Sequence, residues 1–235
     1  MCAENHRALV ESLRGLLIVS CQAYPGEPMR TPDTMARVAL AAEAGGAAGI
    51  RCQGLADISA IRGQVQVPVI GLWKDGDSGV VITPSLRHAR SCIWAGADVV
   101  AIDATDRPRQ DGLSFAQTVS ALETEGAAIM ADCGSLEDAD RAVEAGVGLL
   151  STTLAGYTPQ RDRTEGPDLE VLAQIVQAHP KVPVVAEGRI SSPEDVAAAF
   201  EAGAWAAVVG TAITHPTSIT ERFTRGLPGL SKLID

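Results

Sequence analysis

Lys74 and Glu187 are the residues of this chain best suited to move protons, and each stands at the end of a short apolar run, Val69 to Trp73 and Val182 to Ala186. An amine and a carboxyl both exchange protons readily near neutral pH once their surroundings pull the two pKa values together. Partial burial beside Arg51 would lower the pKa of Lys74, and carboxylates such as Asp132 would raise that of Glu187. Gln22, Arg51, Asp103, Asp132, Thr153 and the pair Gly210-Thr211 also follow apolar runs. With Lys74 and Glu187 the set holds two cations, three carboxylates and two neutral hydrogen-bonding groups, which suits a polar small molecule. Three uses are open to the lysine and glutamate: proton transfer, a Schiff base through Lys74, or a buried ion pair with a structural role.

The elements that must position these residues are announced by a phrase that returns four times. Ala44-Gly45, Ala95-Gly96, Ala145-Gly146 and Ala202-Gly203 each precede an apolar run, at intervals of about fifty residues, or two strand–helix units. Glycine closes a helix because the position after it needs φ > 0, and a buried parallel strand then reads as an unbroken apolar run. We therefore expect an α/β fold, a (β/α)8 TIM barrel, with residues 1–235 forming one domain. Strands are expected near 16–20, 48–52, 68–72, 98–102, 127–131, 148–152, 183–187 and 206–210. Thr31-Pro32, Thr83-Pro84 and Ser192-Pro193 read as a hydroxyl N-cap followed by Pro at the first helical position. A helix from Asn5 to Arg14 is expected to close the barrel floor, and Leu154 to Asp168 is a candidate lid.

Barrel enzymes build their sites at the C-terminal ends of the strands, so the polar set above would line one mouth. Lys74 and Glu187, four strands apart, would face each other across it. Glu187-Gly188-Arg189-Ile190 and Val209-Gly210-Thr211-Ala212 follow the last two strands, where glycines let a phosphate approach backbone N–H groups. A phosphorylated ligand is expected there, approaching the backbone of the Gly188-Arg189 and Gly210-Thr211 turns.

Composition narrows the partners. Hydrophobic residues make up 46% and aromatic residues 3%, so the core must be built from Ala, Val, Ile and Leu. A net charge of −10 argues against nucleic acid or an anionic membrane as partner. Cys2, Cys21, Cys52, Cys92 and Cys133 are scattered without metal-ligand spacing, and of the histidines only His215 falls near the expected mouth. No metal site and no cofactor are expected. No segment is apolar enough for a membrane span or a signal peptide, so a cytoplasmic protein with reduced thiols is expected.

The chain resembles the N-acetylmannosamine-6-phosphate 2-epimerases of bacterial sialic acid breakdown over nearly its whole length. The likeness runs through Ser20-Cys21-Gln22-Ala23, Gly49-Ile50-Arg51, Gly71-Leu72-Trp73-Lys74, Ile82-Thr83-Pro84, Asp103-Ala104-Thr105 and Arg107-Pro108-Arg109. It continues through Met130-Ala131-Asp132, Ser151-Thr152-Thr153-Leu154, Gly156-Tyr157-Thr158, Ala186-Glu187-Gly188-Arg189-Ile190 and Val209-Gly210-Thr211-Ala212-Ile213-Thr214. The resemblance implies metal-free interconversion of N-acetylmannosamine 6-phosphate and N-acetylglucosamine 6-phosphate, by proton transfer at C2 of the open-chain sugar. It also implies Lys74 and Glu187 as the acid/base pair, sugar contacts from Gln22, Arg51, Asp132 and Thr153, and a homodimer. The family usually carries Arg where His215 stands and a small hydroxyl residue where Gly134 stands, and the loop from Asp75 to Gly79 is atypical. A Schiff-base lyase or aldolase on a phosphorylated sugar acid and a non-catalytic sugar-phosphate-binding barrel remain as alternatives from other classes.

Overall fold

A computed structural model describes residues 2–227. Its eight strands are β1 (Leu17–Cys21), β2 (Gly49–Gln53), β3 (Val69–Leu72), β4 (Val99–Asp103), β5 (Ala128–Asp132), β6 (Leu150–Ser151), β7 (Val184–Glu187) and β8 (Ala206–Val209). All pair in parallel and in chain order, and β8 returns to β1 to close a TIM barrel. Every strand lies within two residues of its expected bounds. β6 is the shortest because Gly148, at its expected start, has no side chain to pack and loses much entropy when extended.

Helices alternate with the strands: α1 (Cys2–Ser12), α2 (Pro32–Ala44), α3 (Leu55–Arg62), α4 (Leu86–Trp94), α5 (Phe115–Leu122), α6 (Leu136–Glu144), α7 (Leu169–Ala178) and α8 (Pro193–Glu201). After β8 come α9 (Thr211–Thr214) and α10 (Pro216–Arg225). The α1 segment and Leu13 lie under the barrel, where Leu13 and Val10 join the inner apolar cluster and Trp205 Nε1 donates to Val10 O at 2.9 Å. Thr31 and Ser192 cap α2 and α8 as expected. Thr83 does not cap α4. Its hydroxyl bridges β3 and β4 by donating to Ala101 O at 2.6 Å, and Ser85 caps the helix instead. The repeated glycine also needs one correction: φ is positive at Gly96, Gly146 and Gly203, but in the first copy it falls on Gly46, because Gly45 is still helical at φ −79°.

Two apolar layers follow from the two-residue period of the strands. Val100 and Ile102 of β4 point outward into the layer shared with the helices, whereas Val99 and Ala101 fill the barrel. The inward parity continues upward into polar residues. Ile70 and Leu72 are followed by Lys74, Ala128 and Met130 by Asp132, Val185 by Glu187, and Ala206 and Val208 by Gly210. The site is therefore the polar top of the same stack whose lower part is the core.

Candidate active site

A cavity of about 380 Å³ opens at the C-terminal end of the barrel. Of the expected site residues, Gln22, Lys74, Thr153, Glu187, Gly188, Arg189, Gly210 and Thr211 line it. Arg51 and Asp132 do not. Arg51 lies in the middle of β2, level with Ser20 and Ile70, and not at the strand end expected for it. Its side chain, 1% exposed, rises inside the barrel and meets Asp132 through two bonds, Nη2 to Oδ2 at 2.6 Å and Nη1 to Oδ1 at 3.1 Å. Glu187 Oε2 sits 3.1 Å from the same Nη1, an ion contact without hydrogen-bond alignment. The pair thus forms a charged floor below the cavity, with Glu187 between floor and ligand space.

Other bonds fix this arrangement. Thr153 Oγ1 donates to Asp132 Oδ1 at 2.9 Å and shares a 2.8 Å bond with Ser151 Oγ. Thr152 Oγ1 accepts from Glu187 N and donates to Glu187 O, both at 3.0 Å, which locks the backbone that carries the carboxylate. Lys74 is held by a short hairpin: it bridges Ile82 in antiparallel fashion, Asp75 N donates to Val81 O at 3.1 Å, and Thr83 N donates to Trp73 O at 2.8 Å. Beyond it, His88 accepts no role at the mouth. Its ring is buried against Trp73 and joins Asp75 Oδ2 at 3.1 Å and Ser85 Oγ at 2.6 Å.

The electrostatics draw the two candidate proton carriers toward each other. Burial lowers the pKa of Lys74, Arg51 lowers it further, and Glu187 and Asp132 offset part of this. Burial raises that of Glu187 with help from Asp132, against the opposing pull of Arg51, Thr153 and Lys74. Arg51 keeps its charge: burial opposes it, but Asp132 and Glu187 outweigh burial and hold its pKa above the usual value. Gln22 Nε2 donates to Ser20 Oγ at 2.9 Å, while its Oε1 is buried without a partner, an acceptor waiting beside the cavity.

The turns after β7 and β8 stand together on one side of the mouth. Gly188 and Arg189 have φ of 108° and 57°, and among the described residues the N–H groups of Gly188, Arg189, Gly210 and Thr211 meet no backbone carbonyl. Such a cluster of free donors suits an anion. The Arg189 guanidinium is turned elsewhere, to Gly166 O at 2.9 Å, Ala155 O at 2.8 Å and Thr164 Oγ1 at 2.9 Å. It fastens the segment from Leu154 to Asp168 that was expected as a lid, and Arg161 fastens the far end through Asp168. His215 lines the cavity, with Nδ1 bonded to Ser218 Oγ at 2.7 Å and Nε2 to Glu27 Oε1 at 2.6 Å.

Two half-exposed aromatic residues, Tyr24 and Tyr157, also line the cavity and were not singled out from the sequence as ligand contacts. Tyr24 shares the inward parity of Ile18, Ser20 and Gln22, a signal that was available. Asp103 pairs with Arg107 Nη2 at 2.7 Å. Cys21, Cys52 and Cys133 are buried fillers, and burial pushes the Cys21 thiol up to about 12, far from a nucleophile's range. Among the described residues, no three His, Cys, Asp or Glu side chains are grouped to hold a metal ion, and no helix is long and apolar enough to cross a membrane. A larger cavity, about 830 Å³, opens at the opposite end, where the β5, β6 and β7 strands begin.

Fold and site together define a (β/α)8 barrel with Lys74, Glu187 and a group of unpartnered backbone N–H donors at its C-terminal mouth. Comparison with known proteins agrees. Residues 35–228 match the family model NanE, described as "Putative N-acetylmannosamine-6-phosphate epimerase". A protein of Cutibacterium acnes named "Putative N-acetylmannosamine-6-phosphate 2-epimerase" is 56% identical over 221 residues, 93% of this chain and 96% of the relative. One of the same name from Corynebacterium glutamicum is 47% identical over 92% of this chain and 94% of its own. Among solved structures, the N-acetylmannosamine-6-phosphate 2-epimerase of Clostridium perfringens superposes with a TM-score of 0.89 at 40% identity, covering 93% of this chain and 96% of that one. Thiamine phosphate pyrophosphorylase of Pyrococcus furiosus, at TM-score 0.58 and 19% identity, shares the fold. The chain belongs to the N-acetylmannosamine-6-phosphate 2-epimerase family.

Proposed function

We propose that this protein interconverts N-acetylmannosamine 6-phosphate and N-acetylglucosamine 6-phosphate by proton transfer at C2, with Lys74 and Glu187 as the proton carriers. The observation that carries this reading is that both side chains line one cavity, where burial lowers the pKa of Lys74 and raises that of Glu187. In the open-chain sugar the C1 aldehyde acidifies the C2 hydrogen. Lys74 takes part in removing that proton as a free amine and in returning it as an ammonium, and Glu187 moves protons at the sugar oxygens or at C2. As the C–H bond breaks, charge builds on O1, and donors already fixed at that oxygen lower the barrier. No metal is required by this scheme.

The remaining residues hold the substrate. Gln22 offers its unpartnered Oε1 and Thr153 its hydroxyl to the sugar, and the N–H groups of Gly188, Arg189, Gly210 and Thr211 take the phosphate. Arg51 and Asp132 act from below by fixing the charge and place of Glu187. The reading includes a homodimer in the cytoplasm. Support for a partner surface comes from α10, which buries none of its side chains and leaves Phe223 71% exposed.

The test is proton NMR with N-acetylmannosamine 6-phosphate in deuterated water. C2-deuterated N-acetylglucosamine 6-phosphate is expected from the intact protein and from neither Lys74→Ala nor Glu187→Ala. No product and no exchange from the folded intact protein would refute the activity. Borohydride trapping separates the lyase alternative, since a covalent adduct on Lys74 would mark a Schiff base.

A further inference from the structure

We propose that Tyr24 is the positioning residue for Lys74: its ring face holds the ammonium over the cavity by a cation–π contact. The inference rests on the reading of Lys74 as a proton carrier. The Nζ of Lys74 lies 5.0 Å from the centre of the Tyr24 ring, within the range of that interaction. The ring lines the same cavity as Lys74 and Glu187 and is 54% exposed, so it forms a wall of the site rather than part of the core.

The ring is held in place from its backbone. Tyr24 precedes Pro25, which confines it to extended conformations. Its N–H donates to Glu27 Oε2 at 2.8 Å, and Glu27 N donates back to Tyr24 O at 3.1 Å. Glu27 Oε1 is joined in turn to His215 Nε2 at 2.6 Å, so the loop carrying Tyr24 is tied to the segment after the neighbouring strand β8. The bonds from Tyr24 N–H and His215 to Glu27 thus fix the backbone that presents this aromatic face to Lys74.

The chemistry explains why a ring serves here. Lys74 faces Arg51 from β2, Asp132 from β5 and Glu187 from β7. A carboxylate nearer to Nζ would hold the ammonium but would also compete for its proton. An aromatic face attracts the charge and accepts no proton, so the proton remains available to the substrate carbon. Without the ring, the ammonium loses an attraction that favours the charged form and the side chain loses the face that holds it at C2.

The chain contains three lysines, Lys74, Lys181 and Lys232, so the Cε resonances of [13C]lysine-labelled protein report each ammonium separately. Lys74→Ala assigns the signal. Removing the ring favours the free amine, so in Tyr24→Leu the Lys74 titration is expected to move down by about half a pH unit. Tyr24→Phe, which keeps the face and loses only the hydroxyl, should titrate like the intact protein. In steady-state assays Tyr24→Leu should lower kcat about tenfold with KM little changed, and Tyr24→Phe should restore it. Identical titrations in all three proteins, or Leu and Phe variants with the same kcat, would overturn the proposal. The NMR arm does not depend on the reaction: a Lys74→Ala protein that still epimerises would remove the role given to Lys74 while the titration still decides whether Tyr24 holds it.

Discussion

Arg51 has the most to lose from a single substitution. Among the described residues its guanidinium is the sole ion partner of Asp132, itself fully buried, and it also faces Glu187. Arg51→Ala leaves that carboxylate unpaired in the barrel interior, which costs about 3–5 kcal/mol of stability. We expect a fall in kcat together with the lower melting temperature, because Glu187 loses the charge beneath it. A kcat equal to that of the intact protein would break the link between floor and reaction. Lys74 makes the opposite prediction for stability. Its folded pKa lies below the ordinary value of 10.5, so below the folded pKa the charged amine opposes folding, and this cost disappears as pH rises toward 10.5. Lys74→Met should therefore abolish C2 exchange yet stabilise the protein at pH 7, by about 1 kcal/mol. Thermal melts at rising pH should show the gap narrowing. The identity of these residues was legible in the sequence because inward parity carries each strand from core to site. The depth of Arg51 was not, since parity fixes which way a side chain points and the stagger of the barrel fixes how high it starts.

At the scale of elements, sequence punctuation and structure part where two residues compete for one task. In Ala44-Gly45-Gly46 either glycine could take the positive φ, and the helix runs one residue longer than the repeat suggested. In Thr83-Pro84-Ser85 both hydroxyls could cap α4, and the bond from Thr83 to Ala101 O of β4 leaves the cap to Ser85. The repeated glycines give a graded prediction. At Gly203, with φ of 97°, a Cβ would sit 2.9 Å from Val176 Cγ1 on α7, whereas at Gly46, with φ of 100°, it would meet nothing within 4 Å. Both alanine variants bear the backbone strain, on the order of 1 kcal/mol, but Gly203→Ala must also displace a β-branched side chain. Chemical denaturation should show Gly203→Ala to be the less stable by a further 1 kcal/mol or so. Equal losses would mean that the contact with α7 yields freely. Gly134 shows the same logic at the site's edge: a Cβ there would lie 2.8 Å from Thr158 Oγ1, so this chain fills with Thr158 the space a side chain at 134 would need.

At the scale of the whole molecule, the cavity is a joint product of the barrel. Its lining comes from Gln22 after β1, Lys74 after β3, Thr153 after β6, Glu187 at the end of β7 and Gly210 after β8. A ligand that touches all of these braces a closed ring of strands, and unfolding any one of them releases it. Binding to the folded state alone stabilises by RT ln(1 + [L]/Kd), about 2.7 kcal/mol at a hundred times Kd. N-acetylglucosamine 6-phosphate is therefore expected to raise the melting temperature by several degrees at saturation, and N-acetylglucosamine at the same concentration by much less. The difference isolates the phosphate, for which the proposed place is the group of free N–H donors after β7 and β8 in a protein whose net charge of −10 would otherwise repel it. Because those donors belong to the backbone, His215→Ala should keep most of the shift. Loss of the whole shift in that variant would move phosphate recognition from the two glycine turns to the imidazole and its Glu27 partner, and equal shifts from the two sugars would remove the phosphate from the site altogether.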